Sequence, residues 1–112
     1  MIFTAIAFFA LSAILGLLLL TFVLKGKHTP KGVVFSHGPL AVVGLVLMAL
    51  YMAEHPPGPV DAMILFLIAA TTGLVMVVRD LSGKKVPKWL AISHGLIAAT
   101  GLILLLIFQI GT

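Results

Sequence analysis

The chain has 112 residues, of which 62% are hydrophobic and 9% are charged. A soluble domain of this length buries too small a fraction of its surface to hide so much apolar material, so the bilayer must be its solvent. The lack of cysteine excludes disulfides, thiolate metal sites, covalently attached haem and thiol catalysis. The net charge of +4 arises from two short loops, which indicates membrane topology and not nucleic-acid binding.

Four apolar segments follow one another along the chain. The first, residues 2–24, is too long for a signal peptide and has no basic residue before it. Turns rich in proline, glycine or charge separate the others. The sequence therefore predicts a single all-α membrane domain, 1–112, that forms a four-transmembrane-helix bundle. The predicted spans are about 2–24, 33–53, 62–78 and 89–110.

Charge predicts the orientation of this bundle. All seven basic residues lie within 25–31 and 79–88, whereas Glu54 and Asp61 lie in the loop between the second and third spans. The positive-inside rule places both basic loops in the cytoplasm and both termini outside, in what we expect to be a bacterial inner membrane.

The two halves of the chain resemble each other at an offset of 57 residues. Residues 26–47 share eleven identities with 83–104, among them the tripeptide Ser-His-Gly. We interpret the chain as two tandem two-helix repeats, repeat one 1–55 and repeat two 58–112. Two helices per repeat give both repeats the same orientation, so a pseudo-twofold axis is expected along the membrane normal.

This symmetry pairs two histidines. His37 lies six residues after Lys31, and His94 lies six after Lys88. Each histidine is therefore ~9 Å along its helix from that lysine, below the headgroups of the cytoplasmic leaflet, where ionisable side chains usually face the bundle interior. Two imidazoles make an incomplete zinc site, but they complete the axial positions of a haem iron. His37 and His94 are thus the predicted metal or haem ligands.

Glycines accompany both histidines. Gly44 and Gly101 follow them by seven residues, on the same helix face, where each would open a notch for a flat macrocycle. Helix packing is the alternative role for such glycines, and bilayer anchoring is the alternative role for lysines. The other predicted haem contacts are Gly16 and Gly73 as notches, and Lys27, Lys31, Lys84, Lys88, Arg79 and Trp89 at the propionates.

Smaller features complete the pattern. Pro39 is expected to kink the second span near His37. Ser36 and Ser93 are expected to donate hydrogen bonds to carbonyls of their own helices. A second metal site, or simple packing, is predicted for the stripe Met48, Met52 and His55.

With its four spans and two Ser-His-Gly histidines, the chain resembles in plan the four-helix membrane b-type cytochromes of the cytochrome b561 kind. The resemblance implies non-covalent haem b between His37 and His94, and electron exchange with a quinone or a soluble redox partner. Because only one histidine pair is matched, it implies one haem. The small multidrug transporters are similar in length, but they depend on a buried acid in the first span, and residues 2–24 contain none.

Three functions remain open from the sequence. The first is a b-type cytochrome that transfers electrons near the cytoplasmic face. The second is a transporter of metal ions or protons through the histidines. The third is a structural or assembly subunit of a membrane complex. A homodimer is compatible with each of them, and a hydrolytic enzyme is disfavoured because no carboxylate lies near a histidine or serine within the spans.

Overall fold

Four α-helices make up the fold, and the computed structural model describes residues 1–111. They are α1 (Ile2–Leu24), α2 (Lys31–Glu54), α3 (Val60–Leu81) and α4 (Lys88–Ile110). Each is long and apolar enough to cross a membrane, and no strand occurs within 1–111. The predicted all-α bundle is thereby confirmed. Several helices extend beyond the predicted spans because hydropathy excludes polar terminal residues, such as Lys31 and Asp80, that a helix accepts.

The ends of the helices follow from local sequence. Pro30 and Pro87 have extended backbones and directly precede α2 and α4. Gly26 and Gly83 follow α1 and α3 with positive φ angles of 68° and 77°, which glycine adopts without steric cost. These turns bring the chain back at the same end of the bundle after both helices.

The second helix contains a proline yet is continuous. Pro39 lies within α2, which runs unbroken from Lys31 to Glu54.

Ser36 donates a hydrogen bond to the carbonyl of Gly32 at 2.8 Å, and Ser93 donates one to that of Trp89 at 2.7 Å. The prediction for the two serines is confirmed.

Helix packing is uneven around the bundle. α1 packs extensively against α2, and α3 against α4, while α1 and α4 close one side of the bundle. The opposite side, between α2 and α3, is packed more loosely. There Asp80 Oδ2 accepts hydrogen bonds from Lys31 Nζ at 2.7 Å and from Thr29 Oγ1 at 2.6 Å. The ion pair joins the start of α2 to the end of α3 across the loosely packed side, and the Thr29 bond adds the first loop.

Two phenylalanines meet in the core. The rings of Phe9 and Phe66, which are 57 residues apart, stack with centroids 4.1 Å apart and an interplanar angle of 12°. Each ring also covers a glycine of the neighbouring helix. A Cβ atom at Gly44 would lie 2.9 Å from Phe9 Cε1, and one at Gly101 would lie 3.1 Å from Phe66 Cε1. Both glycines, which we predicted to face a macrocycle, thus accept phenylalanine rings.

Substitution of either glycine tests this packing. Gly44→Ala should lower the thermal unfolding midpoint in detergent, because Phe9 is held against Phe66 and cannot retreat from the added methyl group. We expect a loss of about 1–3 kcal/mol, the usual effect of overpacking. Gly38→Ala is the control in the same helix, since a Cβ there meets nothing within 4 Å. Equal midpoints for the two variants would contradict the packing.

Candidate functional site

His37 and His94 lie opposite each other between the two halves of the bundle. Their ring centroids are 6.1 Å apart, and the rings are inclined at 80° to each other. Both side chains are half-buried and belong to helices able to span a membrane, α2 and α4. The structure therefore brings together the two residues that the sequence pairs.

Each ring forms a hydrogen bond to the backbone of the preceding helix. His37 Nδ1 lies 2.7 Å from the carbonyl oxygen of Ser12, and His94 Nδ1 lies 2.8 Å from that of Ala69. A carbonyl oxygen can only accept, so Nδ1 must carry the proton. In the neutral ring Nε2 then has a free lone pair, which is the form of histidine that binds metal.

Glycines give the rings access to these carbonyls. Gly16 lies four residues after Ser12, and Gly73 lies four after Ala69, so each glycine sits one turn beyond the accepting carbonyl on its helix face. A Cβ at Gly16 would lie 2.9 Å from His37 Cε1, and one at Gly73 would lie 3.0 Å from His94 Cε1. Both predicted notches therefore hold histidine rings.

A hydroxyl group lies beside each Nδ1 atom. Ser12 Oγ is 3.0 Å from Nδ1 of His37, and Thr72 Oγ1 is 3.2 Å from Nδ1 of His94. Ser12 is a buried polar residue of α1, whereas Thr72 is half-buried on α3. The sequence alone does not distinguish either hydroxyl from one that only packs between helices, because the residues opposite a hydroxyl depend on how each helix is rotated. Their nearness to the histidines in the fold could not be read from spacing.

The predicted propionate contacts have different surroundings. Lys31 pairs with Asp80, an acidic residue whose role the sequence did not reveal. Arg79 donates from Nε and Nη2 to the carbonyl of Lys85 at 3.2 and 3.1 Å. The remaining ones are exposed at the same end of the bundle: Lys27, Lys84, Lys88 and Trp89.

The methionine stripe is spread over separate environments. Met48 is fully buried in the core, Met52 packs beside Gly58, and the exposed His55 stacks on Tyr51 at 4.5 Å between centroids. In the described part of the chain, no three His, Cys, Asp or Glu residues are grouped as metal ligands. The candidate site therefore brings together two imidazoles.

No family model matches the chain, and no curated protein or solved structure matches it either. Its class is therefore defined by its own fold and site. Over the described residues it is a bundle of four helices able to span a membrane, in which two histidines from different helices lie opposite each other, each with Nδ1 hydrogen-bonded to a backbone carbonyl.

Alanine at the glycines beside the histidines tests the site geometry. Gly16→Ala and Gly73→Ala should push the rings away from Ser12 and Ala69 and break the Nδ1 hydrogen bonds. We expect each variant to lose about 1–3 kcal/mol of stability, as for other overpacked or unpaired buried groups.

Thermal unfolding and side-chain ¹⁵N–¹H spectra of the histidines would measure the two effects. Gly95→Ala is the control, because it lies next to His94 but its Cβ would meet nothing within 4 Å. This geometry would be contradicted if the Nδ1 proton of His94 stayed hydrogen-bonded in Gly73→Ala and that variant were as stable as Gly95→Ala.

Proposed function

We propose that this chain is a membrane b-type cytochrome with one haem b, held through Nε2 of His37 and Nε2 of His94. The separation of 6.1 Å between the ring centroids carries the proposal. Imidazoles on the two faces of one iron have centroids about 6 Å apart, since each metal–nitrogen bond is about 2 Å long and each ring centre lies about 1 Å behind its nitrogen.

The donor set favours haem over a bare ion. Zinc needs four ligands, and the described residues gather no further His, Cys, Asp or Glu beside the pair. A porphyrin brings four nitrogens of its own, so two imidazoles complete the coordination of its iron. Axial imidazoles can rotate about their bonds to the metal, and the angle of 80° between the rings is compatible with this arrangement.

Aromatic side chains lie on one side of the proposed haem site, and basic side chains lie on the other. Phe9 and Phe66 pack at Gly44 and Gly101, about two helical turns or ~10 Å from the histidines, and bound the interior on the side away from the basic loops. Exposed Lys84 and other lysines at the basic end are available to carboxylates. Contact of Gly44 and Gly101 with a macrocycle stays a prediction.

Bound haem supplies one-electron chemistry, and the protein supplies orientation and exclusion of water. A haem held by His37 and His94 would suit outer-sphere electron transfer better than oxygen activation. We propose the basic loops as the cytoplasmic end, with a quinone or a soluble carrier as the redox partner. The lysines of both loops are exposed there, in reach of such a partner.

The decisive test is the reduced-minus-oxidised visible spectrum of the chain expressed with ample haem and extracted in mild detergent. We expect a sharp Soret band, split α and β bands and one haem per chain. His37→Ala and His94→Ala should each weaken haem binding by more than about 100-fold, because losing a ligand costs more than losing one of its outer-shell partners.

The chain provides its own controls for this test. His28→Ala and His55→Ala alter exposed histidines outside the site and should leave the spectrum unchanged. A colourless protein would overturn the cytochrome proposal and leave transport of metal ions or protons, or a structural role, as the remaining functions. Equal loss of haem in all four variants would also overturn it.

Orientation is testable because the chain has no native cysteine. Ser82→Cys marks the third loop, which is basic, and His55→Cys marks the loop between α2 and α3. In intact bacterial cells, a membrane-impermeant thiol reagent should label His55→Cys and spare Ser82→Cys, since the positive-inside rule places Lys- and Arg-rich loops in the cytoplasm. The opposite labelling pattern would reverse the proposed orientation.

A further inference from the structure

The hydroxyls of Ser12 and Thr72 direct their protons to backbone carbonyls and not to the imidazole rings. Ser12 Oγ donates to the carbonyl of His37 at 2.9 Å. Thr72 Oγ1 faces the carbonyls of Ile68 and Ala69 at 3.1 and 3.0 Å. Because each hydroxyl has a single proton, its oxygen can only accept from the Nδ1–H group beside it.

Each Nδ1–H group therefore lies against two acceptors, a carbonyl and a hydroxyl. For His37 they lie at 2.7 and 3.0 Å, and both belong to Ser12. For His94 they lie at 2.8 and 3.2 Å and belong to Ala69 and Thr72. Acceptors on Nδ1–H give the ring more imidazolate character, and this makes Nε2 a stronger donor to a metal.

The two halves of the chain obtain the second acceptor from different positions. At the 57-residue offset the counterpart of Ser12 is Ala69, and the counterpart of Thr72 is Leu15. Helix packing alone would not require a hydroxyl beside each Nδ1 from unrelated positions. The recurrence of the same polar contact points to a role at the imidazole.

We infer that Ser12 and Thr72 are positioning residues that strengthen His37 and His94 as ligands and lower the reduction potential of the iron they hold. This inference rests on the proposed function. A stronger nitrogen donor stabilises the oxidised iron more than the reduced iron, so the potential falls. Each hydroxyl would act on the iron through Nδ1 of its histidine.

The first experiment needs no haem. In the haem-free protein in detergent, ¹⁵N–¹H spectra of the histidine side chains should place the proton of both rings on Nδ1. Ser12→Ala should speed exchange of the His37 proton with water, and Thr72→Val should do so for His94. Protons on Nε2 in the unmodified chain would overturn this inference and leave the haem proposal to its own spectrum.

The second experiment measures the reduction potential of the haem-loaded protein. Ser12→Ala and Thr72→Val should each weaken binding of oxidised haem by about tenfold relative to reduced haem, the low end of outer-shell effects. For one electron, a tenfold change corresponds to a rise of about 59 mV. An unchanged potential in both variants, with an intact six-coordinate spectrum, would overturn the inference.

Matched variants separate this role from general damage to packing. Ser36→Ala and Thr71→Val remove hydroxyls that bond only their own helices, at Gly32 and Leu67, and should leave the potential unchanged. Ala69→Ser should place a hydroxyl beside His94 as Ser12 does beside His37. Added to Thr72→Val, it should bring the potential back toward the value of the unmodified chain. Failure of this rescue, or an equal rise in the Ser36→Ala and Thr71→Val controls, would contradict the inference.

Discussion

Hydrogen bonds from imidazole Nδ1 atoms to backbone carbonyls of the neighbouring helix organise this bundle. Within hydrocarbon a polar ring needs a partner, and each carbonyl oxygen has a second lone pair beyond the one used by its own helix. The ring can reach that lone pair only where no side chain covers the backbone of the neighbouring helix. Gly16 and Gly73 leave the backbone uncovered at these two places. The same bonds place the proton of each ring on Nδ1. Tautomer and ring position thus depend on one contact in each half of the chain.

Much of the fold could be predicted from the sequence. The apolar segments gave four helices, and errors were confined to ends such as Lys31 and Asp80, where polar residues remain helical. The 57-residue offset drew attention to His37 and His94 as a pair, and their rings lie together. These features depend on hydropathy and spacing along single helices, which a sequence records directly.

The details of the site depend on contacts between helices, and these were harder to predict. The spacing of the glycines predicted where each helix lacks a side chain. It did not predict whether His37, Phe9 or a cofactor would fill that space. Nothing in the sequence separates the hydroxyl of Ser12 from a packing group, because its position beside Nδ1 of His37 depends on how α1 and α2 pack. Asp80 was overlooked because its partner Lys31 lies far away in sequence. Each of these contacts depends on how the helices are rotated about their own axes. A comparison of the two repeats in the sequence does not show that rotation.

Phe9 stacks on Phe66, and His37 faces His94, so residues meet their own counterparts at the 57-residue offset. Self-matched contacts of this form are typical of the isologous interfaces of twofold dimers. In a dimer of identical chains, one substitution alters both sides of such a contact together. Here both sides belong to one chain and can change separately. At the 57-residue offset, for example, Ser12 corresponds to Ala69 and Pro39 corresponds to Leu96. A single chain can therefore surround the two histidines of one pair with different groups, an adjustment that identical subunits cannot make.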